Sequence, residues 1–468
     1  MVRSTQISQT STESISANER LVNKSSKVIK NIFRDNINSN YTEIIQELDK
    51  NFDYASNSNC YWSEPEQSLL YGTPLYQAAS SSQKLALNHL YWAMQYSKVP
   101  LDEAGTMMFN QVTASVFSTL GGFETLCQEL DLETTQESYH IHAFQRISRL
   151  TKKALLGKRL TQLSKKTNND WSKKILKVWQ QINLSTINPR TANLFSSLPY
   201  LLLRYTNKIM LESKGNQPSK YLQELEKKNE FLNVPTDGVV SQLPFRRLTM
   251  QLLTLNCGTS PFLACHYYAL RLIANMMLKN WEYNYVLYFR KLKNNNTEFL
   301  PAPTAVSYFH FLDESFHTTI SKTIAQELYK FFPKPTAYER FVANMSIYLM
   351  QLNLKSVSSV IPYRFIKDDF SLMFLFYQLL QTSLFDMSAT EALYWLEKCF
   401  CQEHEGFNIT LNSHQHLLTN LCQLFGCIEY LWPVNYEMRL MNSVNNTNKV
   451  IQSNIQTFKL FAKFVAHQ

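Results

Sequence analysis

The sequence predicts an all-α protein, and three observations support this fold class. Glycine occupies only 10 of 468 positions and proline 15, so few residues interrupt a helix. Leucine, glutamine, lysine and asparagine are abundant, which favours long helices over a strand-and-turn architecture. Hydrophobic residues make up 45% of the chain, enough for one large helical body or several domains with a sizeable core. GxGxxG, GxxxxGK[ST] and GxSxG are missing, so nucleotide folds and serine hydrolases have no support.

The elements fall into three predicted parts. Residues 1–60 form a polar, partly disordered N-terminal lead with one or two amphipathic helices. Residues 61–330 form the core, in which Pro100 separates two helices and a further helix starts at about Glu124. An insertion over about residues 146–260 interrupts this core, and residues 331–468 form a C-terminal helical extension packed on it.

The compartment is predicted from what the chain does not contain. Its start, MVRSTQISQTSTESISANER, has no apolar leader, and the run FSLMFLFYQLLQTSLF is too short and too polar to span a bilayer. Eight cysteines show no regular framework, which is typical of reduced thiols in a cytoplasmic protein. A C-terminal group of cysteines and histidines has spacings that disfavour a zinc site. Its members are Cys399, Cys401, His404, His414, His416, Cys422 and Cys427.

Two ExxH motifs stand out on apolar helices of the core. The first is Glu137-Ser-Tyr-His140, and the second is Glu314-Ser-Phe-His317. His310 extends the second to HxxxExxH, so these three side chains share one helix face. Carboxylates with imidazoles are the ligands that iron or manganese ions take inside a helical bundle.

A dimetal site of this kind requires two further glutamates. In ferritin-like proteins, each Glu-x-x-His helix is accompanied by a helix that supplies one glutamate. Glu103 and Glu282 lie on helices in the right order along the chain. Glu103 has a second explanation, because acids at a helix start also favour the helix dipole. The predicted fold is a ferritin-like four-helix dimetal core with additional helices from the insertion and the C-terminal extension.

The ordered series of motifs resembles the p-aminobenzoate N-oxygenase (AurF) family, over roughly residues 85–145 and 265–330. This resemblance implies an O2-dependent site with two iron ions, or a manganese/iron pair. Glu133, one turn before Glu137, and Asp313, beside Glu314, are expected to support the ligands, whereas His142 points to another face. The implied metal ligands are Glu103, Glu137, His140, Glu282, His310, Glu314 and His317.

The length, the layout and the segment LLYGTPLYQAASSSQKLALNHLYW resemble the cyanobacterial CylC-type dimetal halogenases. Those enzymes chlorinate unactivated carbons of fatty acyl chains on an acyl carrier protein. The resemblance therefore implies a halide, an external electron donor such as a ferredoxin, and a carrier protein as partner. An arylamine N-oxygenase or hydroxylase of the AurF type is the alternative reaction, because the full carboxylate set shows no vacant position for a metal-bound halide.

The net charge of +9 is concentrated in one basic segment, from Arg146 to Lys177, which contains a single acid, Asp170. This segment is either a solvated helical face or a docking surface for an acidic partner. Nucleic acid is not expected, because the segment lacks a known binding module. A non-catalytic helical scaffold is the alternative of another class, and it predicts no bound metal. The candidate partner-binding residues are Lys152, Lys153, Lys165 and Lys166.

Overall fold

The computed structural model describes residues 24–166, 198–212, 215–228, 247–364, 369–442 and 447–466. Within these ranges the chain is helical and has no strand, so the predicted all-α, ferritin-like fold class is confirmed. The α-helices are α1 (24–37), α2 (Tyr41–Lys50), α3 (Pro74–Ala78), α4 (Ser81–Gln95), α5 (Val99–Leu120), α6 (Glu124–Lys166), α7 (Leu198–Met210), α8 (Lys220–Lys228), α9 (Arg247–Cys257), α10 (Pro261–Asn294), α11 (Ala302–Gln326), α12 (Ala337–Leu354), α13 (Asp369–Leu380), α14 (Ala389–Cys401), α15 (Glu405–Phe425), α16 (Pro433–Tyr436), α17 (Arg439–Asn442) and α18 (Thr447–Ala466).

Four helices carry all the predicted metal ligands. Helix α5 packs along α6, α10 packs along α11, and α10 also contacts α5. Short connections join the two members of each pair, as expected for antiparallel neighbours in a helix bundle. The four helices therefore enclose one shared interior in which side chains from all of them meet.

Local sequence signals explain where the core helices begin and end. Pro100 lies in the first turn of α5, where its missing N–H costs nothing, so the predicted break is confirmed. Gly121 follows α5 with φ 71°, a left-handed conformation that favours glycine. Helix α6 then starts at Glu124, as predicted, and runs on until Gly157 interrupts it with φ 66°.

The N-terminal helices cover the outside of the core. Helix α2 packs against both α6 and α11, with Ile45 fully buried. Tyr41 stacks on Phe316 of α11 with a ring-centroid distance of 6.2 Å. The described part of the N-terminal lead thus belongs to the packed body, while the division of the chain into three parts stays a prediction.

Hydrophobic clusters join the C-terminal helices to this core. One cluster contains Met108, Leu272, Ile324, Ile347 and Leu421, which lie on α5, α10, α11, α12 and α15. A second cluster joins α4 and α6 to α13, α14 and α18. Among the described helices, none is both long enough and apolar enough to cross a bilayer.

Candidate metal centre

Buried carboxylates and imidazoles from α5, α6 and α11 converge inside the four-helix core. Among the described residues they form three triads, and in each triad the possible ligand atoms lie within 4.8 Å of one another. Six of the seven predicted ligands belong to these triads, together with Glu133, which the sequence indicated as a supporting residue. The triads are Glu103, His140 and His310; Glu133, Glu137 and His317; and Glu137, His140 and Glu314.

Glu282, the seventh predicted ligand, lies beside the triads and contacts His310. Its Oε1 accepts hydrogen bonds from His310 Nδ1 at 2.7 Å and from the hydroxyl of Tyr96 at 2.5 Å. Because Nδ1 donates to Glu282, Nε2 is the ring nitrogen of His310 that is left for a metal ion, and it faces Glu103 Oε1 at 3.3 Å. Glu282 therefore fixes the tautomer and the orientation of His310, and its role as a direct ligand stays a prediction.

Several atoms of the centre are buried without a hydrogen-bond partner. Both carboxylate oxygens of Glu103 lack one, and so do Nε2 of His310 and Oε2 of Glu133. Buried polar groups are nearly always satisfied, so a group of unsatisfied ligand atoms requires an explanation. A cation between the carboxylates and imidazoles would satisfy them together, and this donor set fits iron or manganese.

Arg271 of α10 is a buried cation that the structure places against this cluster. The residue is 4% exposed, and it forms ion pairs with Glu133 and, at 3.2 Å, with Glu137 Oε1. Glu133 also accepts a hydrogen bond from the side chain of Asn110 at 3.1 Å. Arg271 was missed in the sequence, although a single arginine inside the apolar stretch CHYYALRLIANMM was a signal of the same kind as Glu282.

Asp313 supports His140 and is itself held by α2. Its Oδ2 lies 3.1 Å from His140 Nε2 and accepts a hydrogen bond from the hydroxyl of Thr42 at 3.2 Å. Gln136 approaches the other carboxylate oxygen at 3.4 Å. The sequence expected Asp313 to have a supporting role, but the contribution of Thr42 depends on a contact between distant parts of the chain.

Gln136 connects a second histidine to the N-terminal helix α1. Its Oε1 lies 3.1 Å from His317 Nε2, and its amide nitrogen donates to Asn36 at 2.8 Å. Asn36 in turn donates to Glu129 at 2.9 Å. Polar side chains of α1 and α2 thus reach the residues that orient His140 and His317.

The histidines of the centre have raised pKa values although they are buried. Burial alone lowers the pKa of a histidine, to about 4 at His89 and about 3 at His266. Burial also acts on His140, but hydrogen bonding to Asp313 and Glu137 outweighs it and raises the pKa to about 9. Carboxylates around His317 likewise outweigh burial and raise its pKa to about 10. The interior is therefore strongly electronegative, as a cation site requires.

The carboxyl groups of Glu103 and Glu314 have pKa values that are shifted in opposite directions. Burial, and then the charge of Glu137, raises the pKa of Glu103 to about 7. Burial also acts on Glu314, but the neighbouring His317 outweighs it and lowers the pKa of that carboxyl. A metal ion at Glu103 would therefore displace a proton that the metal-free carboxyl holds near neutral pH.

Other residues noted in the sequence lie outside this centre. The side chain of His142 is 65% exposed and its Nδ1 contacts Asp49 at 3.0 Å on the outer side of α6. In the C-terminal group, His404 contacts the carbonyl oxygen of Cys399 at 2.7 Å, and His414 contacts that of Met441 at 2.9 Å. These imidazoles thus hold backbone segments in place.

The basic segment is described only in part. Arg146 is bound to Asp49 of α2, and Lys153 is exposed. Lys152 is half-buried, and burial lowers its pKa to about 8. The side chains of Lys165 and Lys166 lie outside the described part of the chain, so the partner-binding surface stays a prediction.

Comparison with known proteins identifies the family. A family model described as "Acyl halogenase CylC-like" matches residues 24–462, nearly the whole chain. The chain belongs to this family. No curated protein and no solved structure matches it. The predicted relation to CylC-type halogenases is confirmed, and the relation to the AurF family stays a prediction.

Membership in this acyl halogenase family supports a halogenase, and therefore an enzyme rather than a scaffold. A small apolar cluster lies on the ligand-bearing helices α5 and α6 of this CylC-like protein. It consists of the buried residues Ala104, Met107 and Ile141, of which Ala104 follows Glu103 and Ile141 follows His140 in the sequence.

Proposed function

We propose that this CylC-like protein is an O2-dependent halogenase with two metal ions, iron or a manganese/iron pair. The substrate in this proposal is an unactivated C–H group of a fatty acyl chain carried by an acyl carrier protein. The observation that supports it best is the convergence of the three buried triads, with unsatisfied ligand atoms, in a chain of an acyl halogenase family.

The residues present fit two metal ions. Glu103, His140 and His310 would hold one ion, and Glu133, Glu137 and His317 the other, with Glu314 close to both groups. When bound, such ions supply the redox chemistry with O2 that protein side chains lack. Glu282 is a further ligand in the predicted set, and its free Oε2 keeps that assignment open to test.

The chain itself orients the ligands and excludes water. Glu282 contacts Nδ1 of His310, and Asp313 contacts Nε2 of His140. The other ring nitrogen of each imidazole is therefore left for a metal ion. Phe144 packs edge-on against His310 at a ring-centroid distance of 4.7 Å. Burial of the centre away from solvent would protect a reactive oxidant from side reactions with water.

The carrier protein would dock on the basic segment. Carrier proteins are acidic, and a phosphopantetheine arm has to reach from their surface to the metal centre. Lys153 is exposed and belongs to the described part of this segment. An electron-donor protein, for example a ferredoxin, would supply the reducing electrons. The cytoplasmic localisation of the protein also stays a prediction.

The test combines metal analysis with product analysis. Purified protein is loaded with Fe(II), or with Mn(II) and Fe(II), and its bound metal is counted by mass spectrometry. Loaded protein then receives an acyl carrier protein charged with a fatty acyl group, chloride or bromide, reductant and O2. We expect about two ions per chain and an acyl product that carries the supplied halogen.

The control variant is Glu137→Gln, which keeps the size of the side chain and removes the charge of a residue shared by two triads. It should bind less metal and form no product. A wild-type protein without bound metal would overturn the dimetal site. A hydroxylated acyl chain, or oxidation of an added arylamine in its place, would overturn the halogenase assignment and retain the metal centre.

A further inference from the structure

A row of aromatic side chains leads away from the candidate metal centre. It starts at Tyr96, whose hydroxyl donates to the same Glu282 oxygen that holds His310. The ring of Tyr96 lies 4.3 Å from that of Trp92, measured between centroids. Both aromatic residues are fully buried.

The row continues to the surface through two more residues. The rings of Trp92 and Trp62 are 6.0 Å apart, and those of Trp62 and Tyr54 are 6.1 Å apart. Trp62 is fully buried, whereas Tyr54 is half-buried and reaches solvent. Single electrons pass readily between aromatic rings that are this close, so no long gap interrupts the row.

Each tyrosine of the row has a proton acceptor. A phenol loses its proton when it loses an electron, so a redox-active tyrosine needs a base within hydrogen-bond distance. Tyr96 has the carboxylate of Glu282. The hydroxyl of Tyr54 lies 3.1 Å from Nδ1 of His89. Nε2 of that imidazole lies 2.8 Å from the carbonyl oxygen of Cys60, which only accepts, so Nε2 carries the proton and Nδ1 accepts from Tyr54.

The two tryptophans have no such acceptor. The indole N–H of Trp92 donates to the hydroxyl of Ser307 at 2.8 Å, and that of Trp62 donates to the carbonyl oxygen of Asn57 at 2.8 Å. Neither group is basic enough to take the proton. These rings are therefore suited to pass an electron while they keep their N–H, and the bases stand only at the two ends.

We propose that these four residues form an electron relay between a one-electron donor at the surface and the metal centre. The proposal rests on the proposed function, because an oxidised metal centre is the electron acceptor. The relay consists, from surface to centre, of Tyr54, Trp62, Trp92 and Tyr96.

The transfer steps balance in electrons and protons. Tyr96 gives one electron to the centre and its phenolic proton to Glu282, which leaves a neutral tyrosyl radical. Trp92 reduces that radical while the proton returns from Glu282, and becomes a radical cation. Trp62 reduces Trp92, and Tyr54 reduces Trp62 while its proton moves to His89. A one-electron donor protein then restores Tyr54, and the proton returns from His89.

The first experiment looks for the radical itself. Protein loaded with Fe(II) is mixed with O2 in the absence of acyl substrate and electron donor, and is frozen for electron paramagnetic resonance. We expect a tyrosyl signal that narrows when the tyrosines are ring-deuterated. Tyr96→Phe, which removes only the hydroxyl, should abolish the signal. Tyr285→Phe is the matched control. Tyr285 is also buried, with its ring centroid 6.5 Å from that of Tyr96, but its hydroxyl has no hydrogen bond to Glu282.

The second experiment measures electron entry. The oxidised, iron-loaded protein is reduced with a [2Fe–2S] ferredoxin, and the loss of its visible absorption is followed. Trp92→Phe should slow this reduction by about tenfold or more, because phenylalanine is far harder to oxidise than tryptophan. Trp281→Phe is the control, because the ring centroids of Trp281 and Tyr96 are 5.0 Å apart but Trp281 lies outside the row. The reduction rate of this variant should equal that of the wild type.

The outcomes separate the relay from the proposed function. If the wild type binds no iron, the proposed function and the relay are both wrong. If iron binds and reacts with O2, a signal that persists in Tyr96→Phe, or no tyrosyl signal at all, overturns the relay alone. Equal reduction rates for Trp92→Phe and Trp281→Phe also overturn it, and would leave the row as ordinary aromatic packing.

Discussion

Arg271 offers a direct test of the electrostatics of the centre, through the substitution Arg271→Met. The guanidinium is buried and contacts Glu133 and Glu137, which are 0% and 1% exposed. At 3.2 Å and an effective dielectric constant of about 20, one such contact corresponds to roughly 5 kcal/mol of Coulomb attraction. Desolvation offsets part of it, and loss of one partner of a buried pair typically costs about 3–5 kcal/mol.

The expected loss depends on bound metal. In the metal-free protein, Arg271→Met should lower the free energy of unfolding by about 3–5 kcal/mol, because two buried carboxylates lose their counter-charge. In the metal-loaded protein the loss should be smaller, because divalent ions neutralise the same carboxylates.

Urea denaturation with chelator and with Mn(II) measures both values. Arg34→Met is the control, because Arg34 pairs with Asp35 on the surface and should cost less than about 1 kcal/mol. An equal loss with and without metal would refute the reasoning.

Further predictions address the ligands, the fold and the partner. Glu137→Ala and Glu314→Ala should each empty the site, and full metal content in both variants would contradict the assignment. Glu282→Gln should retain metal with about 10–100-fold lower affinity if Glu282 acts through His310, whereas loss of metal equal to that in Glu137→Ala would make it a direct ligand. Burial lowers the pKa of His89 to about 4, so the unfolded chain binds a proton between about pH 6.5 and 4 that the folded protein does not. The free energy of unfolding should therefore fall as pH falls through this window, by up to roughly 3 kcal/mol. Urea denaturation should show a smaller decrease for His89→Gln than for the wild type, and an equal pH dependence of the two proteins would contradict this. Charge reversal of the basic residues should raise the apparent KM for carrier-linked substrate at low salt, with unchanged metal content, and the difference should shrink as salt rises. The residues to be reversed are Lys152, Lys153, Lys165 and Lys166. Unchanged kinetics at low salt would show that they form an ordinary solvated surface.

The sequence predicts well what depends on one helix. The spacing of Glu137 and His140, or of Glu314 and His317, places both side chains on one face whatever the helix packs against. The helix starts near Pro100 and at Glu124 follow in the same way from local signals. The fold class follows from composition and periodicity, which are sums over many such local preferences.

What the sequence cannot predict depends on how helices dock. Thr42 reaches Asp313 only because α2 packs against α6 and α11, and Asn36 reaches Gln136 only because α1 lies against α6. Tyr96 meets Glu282 through a contact across 186 positions of the chain. A polar residue in an amphipathic N-terminal helix carries no sign of such a partner, so its role becomes visible only in three dimensions.

The charges of α10 show why docking decides the role of a residue. Arg271 and Glu282 lie on the same helix, about 16 Å apart along its axis at 1.5 Å per residue. The arginine faces the carboxylate-rich end of the centre, and the glutamate faces the imidazole of His310. Each of these two charges thus complements the group opposite it on α6 or α11. The sequence shows Glu282 as a buried acid without a partner, and only the packing of α10 against α11 brings its carboxylate to the imidazole of His310.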